Sequence, residues 1–355
     1  MELGSEYNLD VSTLTVKKDN LYDYLSGIPF VEYYDSGRSA LRQFASLLRS
    51  EDKILLPGVI CESVIKCFVS QNLLFYRIRS DFSIDLEDLE SQMDGKVRVI
   101  FLMHYFGAVQ PPDTLKRLRE IADRYGCVLL EDTTHSIFSA RNTIGDYCIC
   151  SLRKWMPLSG GGVLYILHDK IGLPQEKLSQ SSDNERVVGF ILKDMFLKNQ
   201  LDCNEQYRAI FAACEARLDE QKACYRMSDC NRFLAECVSI QQLITRRRQN
   251  YSHLIHALQQ LNTDLQPAVQ IRGEECPFAM PIRVPDRDMF RSYLMANRIY
   301  CAVHWPEDDF AQSMRKQHIQ NARELISLPV DQRYDETYMD YMVSVISKYG
   351  GDLVF

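Results

Sequence analysis

No stretch of this chain is apolar for the ~20 residues that a membrane-spanning helix needs. The longest apolar run, Val99 to Val109, reaches about half that length and is interrupted by His104. A surplus of positive charge is lacking too: 41 Lys and Arg stand against 48 Asp and Glu, a net charge of −7. That excludes a nucleic-acid partner held by bulk basic charge. The one basic cluster, Arg246 to Arg248, reads as the solvated face of a polar helix. The opening MELGSEYNLD is acidic and has no basic-then-apolar order of a signal peptide. The 12 cysteines are therefore expected as reduced thiols in a cytoplasmic protein. No CxxC pair occurs, and Cys148 and Cys150 would alternate faces of a strand, so a zinc site is not expected. His253 and His256 have a chelating spacing on a helix, but with no partner nearby they read as surface residues. Repeats and low-complexity tracts are absent. What remains is an ordinary globular composition, 46% hydrophobic and 25% charged, with 355 residues to fill about two domains.

From about residue 39 to 167 the pattern alternates helix and strand. Helices are expected at Ser39–Leu48, Glu62–Ser70, Asp85–Met93 and Pro112–Tyr125, the last opening on two prolines and closing at Gly126. Strands are expected at Lys53–Leu56, Leu73–Arg77, Val97–Met103, Cys127–Leu130, Tyr147–Ser151 and Val163–Leu167. VRVIFLM at Val97–Met103 is continuously apolar, as in a strand buried on both faces. Such alternation implies an α/β fold with a doubly wound, mainly parallel sheet. Asn184 to Leu261 reads as almost wholly helical. Beyond it come a strand at Phe278–Val284, a helix at Asp286–Asn297, a strand at Ile299–His304 and a terminal helix at Asp335–Tyr349. The expected division is a large α/β unit over 1–250 and a smaller α+β unit over 251–355.

Ligands of an open α/β sheet bind beyond the carboxyl ends of its strands. Three polar groups fall there: Asp132 and His135 after CVLLE, Ser151, Arg153 and Lys154 after YCIC, and Asp35 to Ser39 before the first helix. One carboxylate, one lysine and one anion-holding helix start are what pyridoxal phosphate requires. Singly each has a plainer reading: Asp132 as a turn residue, Lys154 as a solvated charge, Ser39 as a helix N-cap, and Gly160 to Gly162 as a tight turn.

The order of motifs adds more. SGRSAL at Ser36–Leu41, HYFG at His104–Gly107, EDTTHS at Glu131–Ser136 and SLRKWMPLSGGG at Ser151–Gly162 resemble the DegT/StrS-type sugar aminotransferases, among the fold-type I pyridoxal-phosphate enzymes. YRMSD at Tyr225–Asp229 with Gln241–Leu243, AVHWP at Ala302–Pro306 and ISLPVDQRY at Ile326–Tyr334 continue the resemblance in order. It implies that Lys154 carries the cofactor and moves the reacting proton, and that Asp132 pairs with the pyridine nitrogen. Ser39, the amides from Ser36 through Gly37 and Arg38, and Ser151 would bind phosphate, with Arg38 adding charge. His135 would face the ring oxygen; His304 and Arg226 would lie toward the substrate.

Departures from the pattern are equally specific. The family's stacking aromatic falls at Cys61 or Glu62, so His104 or Tyr105 is expected to stack instead. The asparagine that reaches the partner subunit's phosphate falls at Cys224. The short Ser-to-Lys spacing of SLRKW, together with SGR, marks one branch of the family. The resemblance implies a homodimer that moves an amino group from glutamate to a nucleotide-linked keto sugar, as in polysaccharide biosynthesis. The alternatives are another pyridoxal-phosphate reaction, such as dehydration, or a cofactor-binding regulator or scaffold without turnover.

Overall fold

A computed structural model describes residues 1–261, 265–305 and 323–350. Residues 262–264, 306–322 and 351–355, and with them Pro306 of the AVHWP motif, lie outside the described residues. The strands are β1 Leu3–Gly4, β2 Phe30–Tyr34, β3 Lys53–Pro57, β4 Asn72–Tyr76, β5 Val97–Met103, β6 Val128–Asp132, β7 Tyr147–Ser151, β8 Gly162–Ile166, β9 Met280–Arg283, β10 Ile299–Tyr300 and β11 Leu325–Leu328. The helices are α1 Leu21–Tyr24, α2 Gly37–Ala45, α3 Glu62–Ile65, α4 Leu86–Ser91, α5 Pro112–Tyr125 and α6 Glu185–Leu197. They continue as α7 Asn204–Glu220, α8 Asp229–Glu236, α9 Ile240–Gln259, α10 Arg287–Ala296 and α11 Glu336–Ile346.

Seven strands form one sheet in the order β2-β8-β7-β6-β5-β3-β4. All neighbours are parallel except β8, which runs antiparallel to both β2 and β7. The inner strand β5 buries six of its seven residues, which is why its sequence shows no polar alternation. Helix α5 opens with Pro112 in its first turn and ends at Gly126, whose φ of 67° forms a left-handed cap. Its buried stripe of Leu115, Leu118, Ile121 and Ala122 holds it on the sheet.

Several elements depart from the sequence pattern. Helix α2 starts at Gly37 because Ser36, not Ser39, is its cap: Ser36 Oγ accepts from the Ser39 amide at 3.1 Å. The expected helix over Glu62–Ser70 divides into α3 and a 3-10 turn at Lys66–Phe68. Its three β-branched residues Val64, Ile65 and Val69 disfavour a longer helix. Strand β10 stops at Tyr300, and only Ala302 continues the pairing, as a bridge to Ser327. Strand β2 lacks a sequence signal because it lies at the sheet edge and four of its five residues are only half-buried.

Helix α9 spans two cores. Ile240 and Leu243 pack with Trp155 and Phe190, whereas Leu254 and Leu258 pack with Met280, Ile326 and Met342. His253, on this helix, shares a 2.6 Å hydrogen bond with Asp340. No helix among the described residues is long and apolar enough to cross a membrane.

Candidate active site

The carboxyl ends of β5, β6 and β7 and the start of α2 meet around a cavity of about 190 Å³. Ser36, Gly37, Arg38, Asp132, Ser151 and Lys154 all line it. Strand register explains the carboxylate: Met103 and Asp132 are paired across β5 and β6, so both side chains project to the cavity face. Asp132 is 4% exposed, and its Oδ1 accepts from the Thr134 amide at 2.8 Å. Burial pushes its carboxyl above the usual range, against hydrogen bonds from Thr134 and the nearby charge of Lys154. No ion pair holds it among the described residues. A buried carboxylate without a cation of its own suits a cationic ring nitrogen.

Lys154 ends a 3-10 turn that leaves β7. Its backbone is fixed on both sides: Tyr7 donates to the Lys154 carbonyl at 3.3 Å, and Gln332 donates to the Trp155 carbonyl at 2.6 Å. The Trp155 indole donates to the Thr134 carbonyl at 2.7 Å, while the Arg247 guanidinium lies over its ring at 4.4 Å. The lysine stem thus rises from an anchored turn beside Asp132.

The anion end is built by close approach. A Cβ on Gly37 would stand 2.9 Å from that of Ser151, so only glycine lets the start of α2 reach the end of β7. A helix start leaves its first amides without helical partners, here Gly37 and Arg38. Ser39 does not line the cavity: it is fully buried, its amide and hydroxyl both engaged by Ser36. The Arg38 guanidinium likewise turns to the end of α7, donating to the Leu218 carbonyl at 2.6 Å and pairing with Asp219 at 2.7 Å. Arg153 reaches the same helix through a bidentate pair with Glu215. Burial pushes Glu215 up, but Arg153 and Arg186 outweigh it and hold its carboxyl at about 2. Helix α7 is thereby tied across the mouth of the cavity.

Three expected residues have other roles. His104 is not in the cavity: it follows Met103 and turns to the opposite face, where its Nε2 donates to Glu131 Oε1 at 3.1 Å and its Nδ1 accepts from the Gln110 amide. Tyr105 is no stacking residue either, since its hydroxyl donates to the Val59 carbonyl at 2.7 Å and its ring lies outside the cavity. Arg226 is not brought to Lys154 within this chain; it bridges Tyr34 and Gln180 by its backbone and faces Glu32. Cys61 does line the cavity, as an exposed thiol 3.0 Å from the Ser63 hydroxyl.

Both remaining histidines lie in an aromatic nest beside the cavity. His135 stacks on Phe278 at 4.2 Å. Its Nδ1 accepts from the Phe106 amide at 3.4 Å, which assigns the proton to Nε2, and that buried Nε2 has no partner. An unpartnered buried donor near Lys154 fits an acceptor on a bound group. Burial, with the Lys154 charge and His304, drives the His135 imidazole well below its ordinary range. His304 shares a 2.8 Å hydrogen bond with Ser327, and burial lowers it to about 3, with Lys154 adding to the effect. Sequence reasoning missed Thr134, which orders both Asp132 and the Ser151 amide, and Trp305, which lines the cavity.

Two stability results follow from this geometry. Glu131 also accepts from the Thr143 and Gly145 amides, so Glu131→Ala leaves His104 and two amides, one of them buried, without this partner. A loss of about 3 kcal/mol in urea unfolding is expected. His304 titrates lower in the folded chain than in the unfolded one, so its contribution is present above pH about 6.5 and is lost as pH falls toward 3. At pH 5 that loss is about 2 kcal/mol, and a His304→Gln variant should show a correspondingly flatter stability profile between pH 7 and 5.

The anchored lysine, the buried aspartate one strand away and the glycine-enabled helix start suit pyridoxal phosphate. Residues 74–154, from β4 to Lys154, are similar to the DegT/DnrJ/EryC1/StrS aminotransferase family. The fold is shared along the whole length. PseC of Helicobacter pylori, an aminotransferase involved in the biosynthesis of pseudoaminic acid, superposes with a TM-score of 0.68 at 15% identity, covering 98% of this chain and 99% of its own. The sugar aminotransferase CalS13 of Micromonospora echinospora gives 0.64 at 16% identity, with 98% and 99% covered. The PLP-form of Spr1654 from Streptococcus pneumoniae gives 0.68 at 13% identity, with 98% of each chain covered. No curated protein sequence matches the chain.

Proposed function

We propose that this protein is a pyridoxal-phosphate-dependent aminotransferase that moves an amino group from glutamate to a keto sugar carried on a nucleotide. The observation that carries the reading is the pairing of Asp132 and Lys154 in one cavity with the α2 start opposite. Bound pyridoxal phosphate supplies an electron sink that acidifies the Cα–H of an attached amine. The chain's own residues do the rest. Lys154 Nζ would hold the cofactor and would be the group placed to move the proton at Cα. The Asp132 carboxylate would balance charge at the ring nitrogen, and the Nε2–H of His135 would be the donor available to the ring oxygen. The amides of Gly37 and Arg38, with Ser151, take the phosphate.

Sugar specificity is supported by neighbours named as sugar aminotransferases; the donor and nucleotide linkage follow the sequence resemblance. A cytoplasmic homodimer is part of the same reading. The test is incubation of the purified protein with pyridoxal phosphate, glutamate and a panel of nucleotide-linked keto sugars, followed by mass spectrometry. An amino sugar paired with 2-oxoglutarate is the expected product. A panel left wholly unaminated, with the cofactor form still responsive to amino acids, would redirect the acceptor away from nucleotide sugars.

A further inference from the structure

Neither Cys61 nor Glu62, which stand where the resemblance puts the stacking residue, carries a ring, and His104 and Tyr105 do not line the cavity. Yet one aromatic side chain does line the cavity with Asp132 and Lys154: Trp305. Its backbone φ is 51°, in the left-handed region that a bulky residue enters only at a cost. The strain is held by packing. Tyr105 meets the indole edge-on at 5.4 Å and 80°, and Phe106 at 5.4 Å and 70°. The His135 ring lies 5.7 Å from the indole, tilted by 36°. Trp305 itself is 8% exposed, which fixes the indole as a wall of the cavity rather than a surface residue.

We propose that Trp305 supplies the aromatic face against which the cofactor ring lies, from a different part of the chain than the family's stacking residue. This rests on the pyridoxal-phosphate reading above. Three observations converge on it: the cavity has no other aromatic wall among the described residues, the segment where the resemblance puts one carries Cys61 and Glu62, and Trp305 lines the cavity from a strained backbone. A ring-on-ring contact contributes up to about tenfold in affinity.

The test measures pyridoxal-phosphate affinity, by equilibrium dialysis, for the wild type, Trp305→Leu and Trp305→Phe. All three side chains carry a Cβ, so the backbone strain is the same and the comparison reads the ring alone. Trp305→Leu is expected to weaken binding about tenfold and to diminish the induced circular dichroism of the bound cofactor, while Trp305→Phe retains most of both. Thermal melts of the cofactor-free proteins separate ring loss from misfolding; Trp305→Phe carries the test if Trp305→Leu does not fold. In that case an affinity and dichroism unchanged from wild type supports the ring contact, and a Phe variant as weak as a denatured control overturns it. Equal affinity and dichroism in wild type and Trp305→Leu would also overturn it, with the cofactor reading intact. A wild type that binds no pyridoxal phosphate would instead overturn the cofactor reading itself.

Discussion

Replacing Lys154 with alanine is expected to abolish covalent attachment of pyridoxal phosphate and to cut transamination by about 10⁴-fold, the full contribution of a positioned proton carrier. Borohydride followed by peptide mass spectrometry should find the reduced adduct on Lys154 of the wild type and nowhere in the variant. The fold should survive, because the turn is anchored through backbone carbonyls rather than through the lysine side chain. Tyr7 bonds the Lys154 carbonyl, and Gln332 that of Trp155. A reducible adduct persisting in the alanine variant would move the attachment to another lysine.

Asp132→Asn separates charge from shape. The amide can still accept from the Thr134 backbone, so the β6 end should keep its conformation. What is lost is the negative charge opposite the ring nitrogen, in a site where burial magnifies each unbalanced charge. Covalent attachment is expected to persist while the half-reaction with an amino donor slows on the order of 10³-fold. The measurement is stopped-flow absorbance of the loaded variant after mixing with donor. An unchanged rate would remove Asp132 from the chemistry and leave it a buried structural carboxylate.

The central strands were legible because burial on both faces writes itself as unbroken apolar sequence. VRVIFLM and YCICS match β5 and β7 residue for residue. Edge strand β2 carries no such mark, since FVEYY is half-buried and pairs on one side only. Within the site, Asp132, Ser151 and Lys154 could be read because strand ends in a parallel sheet share one edge. His104 could not be placed by proximity alone; side-chain alternation decides it. Met103 takes the cavity face beside Asp132, so the next residue turns to Glu131. Parity along β5 was the available signal. Ser39 was near the mark but is buried, because the cap falls on Ser36; Arg38 lines the cavity, while its guanidinium finds α7, a contact between residues 180 apart that no local pattern records. Trp305 is the clearest case, because its direction depends on a positive φ that tryptophan seldom adopts.

The most direct test of the central claim is the absorbance spectrum of the purified protein with pyridoxal phosphate, before and after glutamate. The account predicts a visible band of lysine-bound cofactor that glutamate converts to the spectrum of the pyridoxamine form, with 2-oxoglutarate released in equal amount. No band with the wild type, or a band that no common amino acid moves, would contradict the assignment of Asp132 and Lys154 to transamination.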